Sequence, residues 1–232
     1  MPSKNLSVEL AKNPLFSTLE TEQRERLIES GNPQNYPAGQ WITHYGSSWP
    51  YLFYVEEGLV EALKESPEGR SLVIMELEKG MVFWGIGFFK EGVGMPVAFI
   101  AKENSRLLLW SREQLLPLLL DNGFFSWELS KLMVERMLRA SEIVEELAFQ
   151  PVAARLALFL LEQFGDRAGD TVTRDLTLDE MAARIGSTRE MVCRQLYKLA
   201  DKGMIQINRT ELKITNLRSL QDAAESWKGG DR

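Results

Sequence analysis

Cysteine and histidine are almost missing from this chain: of 232 residues one is cysteine, Cys193, and one is histidine, His44. A lone thiol excludes an internal disulfide framework and any thiolate cage for zinc or an iron-sulfur cluster built within one chain. A lone imidazole leaves protein-only zinc chemistry without enough nitrogen ligands. Long apolar runs are missing as well. No stretch approaches the roughly 20 residues of a membrane span, and the opening "MPSKNLSVEL" has no apolar signal core. The expectation is a cytoplasmic protein with no membrane partner. Nor does any nucleophile-base pair, phosphate-binding glycine loop or metal-ligand spacing occur, so an enzyme with its pocket among the strands is a weak rival reading.

What is present is an ordinary globular composition, 44% hydrophobic and 26% charged, with an uneven charge distribution beneath the net −6. From Pro151 onward there are thirteen Lys and Arg against twelve Asp and Glu, a charge of +1, which leaves −7 for the preceding part. Between Arg184 and Arg218 eight basic residues face three acidic ones. That local excess is where contacts with a polyanion are expected.

The texture of the chain changes three times. "NPLFSTLETEQRERLIES" reads as short helices. From Tyr36 onward, short runs rich in Val, Ile, Phe, Tyr and Trp are punctuated by glycine, as in "YLFYVEEGLVEALKE" and "MVFWGIGFF", which predicts a compact β-barrel or roll. Phe124 to about Phe149 then runs without internal glycine or proline. Leu129, Met133, Met137, Ala140, Val144 and Leu147 recur there at spacings of three and four, a seam that predicts dimerisation through one long helix. The domains expected are residues 1–121, a sensor roll with amino-terminal helices; 122–150, the dimerisation helix; and 151–232, a winged helix-turn-helix.

The last assignment rests on "LTLDEMAARIGSTREMVCRQLYKLADKGMI" followed by "QINRTELKIT". Thr177 and Glu180 have capping-box spacing, Gly186 offers the positive φ of a helix terminator, and Ser187 or Thr188 caps the next helix. Val192, Leu196 and Leu199 make its inner stripe. Arg189, Glu190, Cys193 and Arg194 lie on the opposite side. An arginine fork fits guanine O6 and N7 and a carboxylate accepts from cytosine N4, so Arg189, Glu190 and Arg194 are the candidate base-reading residues. Thr177, Ser187, Thr188, Lys198, Lys202, Arg209 and Lys213 are the candidates for phosphate. Cys193 is a candidate redox switch, since oxidation would add bulk or charge to the stripe, although a small residue tolerated in the groove is the simpler account.

These segments together resemble the catabolite activator and fumarate-nitrate regulator (CRP/FNR) superfamily of bacterial transcription factors. The resemblance covers nearly the whole chain, from "NPLFSTL" through the glycine-punctuated strands and "SEIVEELAF" to "STREMVCRQLYKLADKGMI". It implies an α+β fold: a cyclic-nucleotide-binding-like β-roll of jelly-roll type, a long dimerisation helix and a winged helix-turn-helix. It further implies a homodimer on double-stranded DNA at a palindromic site with TGTGA-like half-sites, and RNA polymerase as a partner.

The sensor departs from the family pattern. Ile86 stands where nucleotide-binding members carry a glutamate for the ribose, and Met95 and Pro96 stand where they carry the arginine and serine of the phosphate site. Burying a phosphate without its counter-charge costs several kcal/mol or more, so cAMP is not the expected effector. Ser141 matches a base-contacting position on the long helix. Trp84, Ile86, Phe88, Phe89, Met95, Pro96, Val97, Phe99 and Ser141 read either as roll core or as the lining of a pocket for a hydrophobic effector or haem, with His44 as the one possible haem ligand. A fumarate-nitrate-type iron-sulfur cluster lacks its cysteines. The remaining alternative is a ligand- or haem-binding module acting through protein contacts.

Overall fold

Proline and asparagine set the first turns of the chain. The computed structural model describes residues 2–227, beginning with α1 (Pro2–Leu10), α2 (Pro14–Ser17) and α3 (Thr21–Ser30). The Asn13 side chain accepts from the Leu15 N–H with Pro14 at the first helical position, and Glu20 and Gln23 close a capping box on α3. There follow β1 (Asn32–Tyr36), β2 (Trp41–Thr43), β3 (Tyr51–Glu57), β4 (Leu59–Glu65), β5 (Ser71–Glu78), β6 (Val82–Trp84), the one-turn α4 (Ile86–Phe89), β7 (Ala98–Ala101), β8 (Ser105–Ser111) and α5 (Arg112–Asp121).

Two four-stranded sheets form, ordered β1-β8-β3-β6 and β2-β7-β4-β5. First strand beside last, second beside seventh, third beside sixth and fourth beside fifth is the pairing of a jelly roll, as the glycine-punctuated strands predict. The run "LFYV" in β3 is apolar throughout because the strand is covered on both faces. Leu52 and Tyr54 pack with Leu10, Phe16, Leu27, Trp110 and Phe125, whereas Phe53 and Val55 pack with Val60, Phe99, Leu107 and Leu109. Trp110 anchors the helical layer by donating its indole N–H to the Leu27 carbonyl at 2.7 Å.

The long helix α6 (Gly123–Phe149) has 27 residues, about 40 Å at ~1.5 Å per residue. The predicted seam is corrected in its first half. Leu129 is buried and Met133 partly buried against the chain's own helical layer, so that face is already occupied. The side chains left exposed include Phe124, Trp127, Val134, Met137, Leu138, Val144 and Leu147. Among them Trp127, Val134, Met137 and Val144, with Ser130, Ser141 and Ala148, recur at alternating spacings of three and four, the period of a two-helix seam.

The chain divides into two compact units, residues up to Lys64 with Ile74–Arg139, and Glu65–Val73 with residues from Ala140 onward. Beyond α6 the second unit contains α7 (Val152–Phe164), a 3-10 turn at Gly165–Arg167, β9 (Val172–Thr173), α8 (Leu178–Ile185), α9 (Arg189–Asp201), β10 (Ile205–Ile207), β11 (Glu211–Ile214) and α10 (Leu217–Glu225). Leu156, Leu160, Met181, Ile185, Val192, Leu196, Leu199, Leu212 and Leu220 form its core. The hairpin β10-β11 carries β9 as a third strand, and α10 packs along α7. Strand β9 was not legible beforehand, since it is two residues long.

Candidate nucleic-acid interface

Local hydrogen bonding shapes the helix pair α8-α9. The Thr177 hydroxyl accepts from the Glu180 N–H, and the Glu180 carboxylate in turn accepts from the Thr177 N–H at 2.8 Å. Gly186 closes α8 at φ +59°, a conformation that costs a residue with Cβ about 1–2 kcal/mol. A Cβ here would also lie 2.3 Å from the Leu147 side chain. Thr188 rather than Ser187 caps α9, accepting from the Met191 N–H. The Thr177 and Thr188 hydroxyls are thus committed to capping.

On α9, Val192, Leu196 and Leu199 face inward, which turns Arg189, Glu190 and Arg194 to the open side. All three are exposed. Arg189 pairs with Asp179 on α8 at 2.8 Å. The Glu190 carboxyl is held below the usual carboxylate range by its own backbone N–H and the Thr188 hydroxyl, with Arg189 nearby. Arg194 rests against the Met191 sulfur at 2.9 Å. Cys193 sits half-buried between the arginines. Tyr197, 65% exposed, stands one turn beyond Cys193 on the same side; it was missed in the sequence because an aromatic at helical spacing reads as core.

Lys198 and Lys202 border a groove of about 510 Å³ between α9 and α10, on the flank of the stripe. Arg209 is exposed at the tip of the wing, where Asn208 shapes the turn by accepting from the Thr210 and Glu211 N–H groups. Lys213 lies on β11 opposite Gln206. Ser187 is half-buried, its N–H donated to the Ala182 carbonyl.

One residue of this unit carries no sequence signal at all. Arg155 on α7 donates to the Ile185 carbonyl at 2.8 Å, the Glu146 carbonyl at 3.1 Å, the Gln150 carbonyl at 2.5 Å and the Gly186 carbonyl at 3.3 Å. It therefore satisfies the ends of α6 and α8 together. Carbonyl groups have no residue code, so their convergence on Arg155 is visible only in three dimensions.

In the roll, the proposed effector residues do not share one cluster. Trp84 and Phe88 belong to the helical layer's core. Met95, Val97 and Phe99 belong to the core between the sheets. Ile86 is half-buried, Pro96 and Ser141 are exposed, and Phe89 is partly open. Gly85 passes so close to the Trp49 carbonyl that a Cβ would lie 1.8 Å from it. Arg112 donates to the carbonyls of Gly87 and Phe88, at 2.7 and 2.6 Å, and pairs with Glu91. The Met95 backbone exchanges hydrogen bonds with Gly46 and Ser47, with its side chain 2% exposed. The segment of residues 85–97, the cassette, is thus held by hydrogen bonds to other parts of the roll. Arg136 on α6 lies 5.8 Å over the Phe83 ring, its Nε buried without a partner and its basicity lowered by burial. His44 is exposed beyond β2 with its ring 5.2 Å from Trp41. Among the described residues no group of three or more His, Cys, Asp or Glu is placed to hold a metal ion, and no helix is long and apolar enough to cross a membrane.

This arrangement recurs in known proteins. Residues 33–122 match the cyclic nucleotide-binding domain, and residues 154–223 match the Crp-like helix-turn-helix domain. The CRP-like cAMP-activated global transcriptional regulator of Mycobacterium tuberculosis is 26% identical over 216 residues, 91% of this chain and 96% of the relative. A CRP/FNR-family protein from Eubacterium rectale superposes with a TM-score of 0.77 at 21% identity, covering 91% of this chain and 98% of that one. The c-di-GMP responsive global regulator of Xanthomonas campestris superposes with a TM-score of 0.71 at 21% identity, over 84% and 99%. The chain belongs to the CRP/FNR superfamily and is a transcriptional regulator with a helix-turn-helix DNA-binding domain, not an enzyme.

Proposed function

We propose that this regulator acts as a cytoplasmic homodimer that reads a palindromic site with TGTGA-like half-sites, presenting α9 of each subunit to successive major grooves about 34–36 Å apart. The observation that carries the reading is the exposed trio Arg189, Glu190 and Arg194 on a helix whose opposite face is fully used by the core. Arg189 is released from Asp179 when it turns to a base, exchanging a carboxylate for the neutral acceptors O6 and N7 of guanine. Lys198, Lys202, Arg209 and Lys213 supply phosphate contacts, with Ser187 and Thr188 beside them at the start of α9, whereas the hydroxyl and N–H of Thr177 are taken up by its capping box with Glu180. RNA polymerase is the partner through which the bound dimer acts.

Arg194→Ala is expected to weaken the preferred site by about 1–3 kcal/mol and to relax discrimination at one base pair, while Lys198→Ala weakens specific and random duplexes alike and lowers the salt slope by about one. Fluorescence anisotropy on both duplexes over a range of salt checks this. Equal losses on both duplexes from Arg194→Ala would overturn the assignment.

The effector is proposed to be other than cAMP. A cAMP-activated relative and a c-di-GMP responsive regulator share this fold, so the roll tolerates different ligands. Here Ile86, Met95 and Pro96 provide no charge for a cyclic phosphate, and Arg112 already occupies the cassette carbonyls. Millimolar cAMP is expected to leave operator affinity and melting temperature unchanged; a saturable rise in either would reject this part of the reading.

A further inference from the structure

Strand β3 carries an irregularity outside the cassette. Strand β3 loses register against β8 after Val55: Val55 is opposite Leu107, yet Glu57 is opposite Arg106. Glu56 is therefore the extra residue of a β-bulge, a feature that re-aims a side chain and is frequent beside binding sites. Its side chain is 10% exposed. One carboxylate oxygen, Oε2, pairs with Arg106 at 3.0 Å; the other, Oε1, is buried with no hydrogen-bond partner. Leaving a buried ionised oxygen unsatisfied is costly, which is a reason to look for its missing partner.

The same side chain borders a cavity. Glu56 lines a cavity of about 460 Å³ between α1, α3 and the β1-β8-β3 face, and Tyr54, itself 1% exposed, lines it too. Glu9, Glu29 and Glu57 bring further carboxylates, against Lys79 and Arg106 as the cations. Counted over these side chains the cavity carries four negative and two positive charges. Leu6, Ile28 and Leu108 supply an apolar wall. Burial drives the Glu56 carboxyl above its ordinary range, with Arg106 opposing and Glu57 adding to the rise. The Tyr54 hydroxyl is raised by burial, then by the nearby carboxylates of Glu9 and Glu56. Burial thus weighs on both groups, and Arg106 meets only one of the two carboxylate oxygens of Glu56.

We infer that this cavity binds the ammonium group of a small amine, donating to Glu56 Oε1 and the Tyr54 hydroxyl, with the alkyl arm against Leu6, Ile28 and Leu108. The ammonium could belong to a simple alkylamine or to an amino acid whose carboxylate meets Lys79 and Arg106. Calorimetric titration of the full-length protein with n-butylamine, norvaline and n-butanol separates these cases. Saturable binding of butylamine or norvaline but not of butanol is expected, the tighter of the two naming the source. Glu56→Gln is expected to weaken it at least tenfold; Tyr54→Phe, which keeps the buried ring, is expected to weaken it about threefold and guards against a folding defect in the first variant. Absence of saturation by both amines, butanol binding as well as butylamine, or unchanged affinity in both variants would overturn the proposal.

Discussion

Val134→Glu combined with Val144→Glu is expected to convert the protein to a monomer and to weaken operator binding at least about 100-fold. Both side chains are exposed in the single chain, at 49% and 66%, so the substitution disturbs no buried core position within it. Glutamate is also a good helix former, and α6 should persist. In a dimer the same positions fall on the seam with Trp127, Met137 and Ser141, where each buried valine contributes about 1.5–3 kcal/mol. Four carboxylates would replace them in an apolar interface, and unpaired buried charge is far more costly than lost contact. Sedimentation velocity, with circular dichroism to confirm helix content, reads the assembly; anisotropy on a palindromic duplex reads the consequence. A dimer that survives the double substitution would place the interface elsewhere.

Arg155→Ala is expected to destabilise the carboxy-terminal unit by about 3 kcal/mol and to lower operator affinity about tenfold or more. The guanidinium serves four carbonyls from two helix ends, and hydrogen bonds to a charged group are worth about 1.5–3 kcal/mol each before solvent compensates the exposed ones. Its basicity is lowered by burial, with Glu146 opposing, so the charge is partly desolvated and its neighbours depend on it. Without it the tail of α6 and the end of α8 lose their common partner, and α9 is presented less rigidly. Arg155→Lys should not rescue, since a single ammonium cannot replace a planar fork that reaches both helix ends. Urea unfolding checks the stability change and anisotropy the affinity. Full rescue by lysine would mean that charge, rather than the fork, is what matters.

The contrast between these two variants marks where sequence reading stops. The exposed half of the α6 seam was legible at Met137 and Val144 from a three-and-four spacing. That Leu129 and Met133 turn into the chain's own helical layer was not, because an apolar residue has the same code whether it meets its own fold or a partner. The effector residues behaved likewise. Trp84 and Met95 look alike in a glycine-punctuated run, yet they join different cores, since strand pairing decides which face each one fills.

The sequence by itself determined the helix-turn-helix and the jelly-roll class: the Thr177 and Glu180 box, the left-handed Gly186, a cap at Ser187 or Thr188 and the glycine-punctuated strands all act over a few residues, within reach of the backbone's own hydrogen bonds. Only the tertiary structure decided which face of α6 stays open, that Arg155 joins two helix ends, and that a bulge turns Glu56 inward. Those features depend on pairings between positions 30 to 50 residues apart or more, such as Arg155 with Ile185 and Glu56 with Arg106. Register and packing fix such pairings, and neither is written in the spacing of residues along the chain.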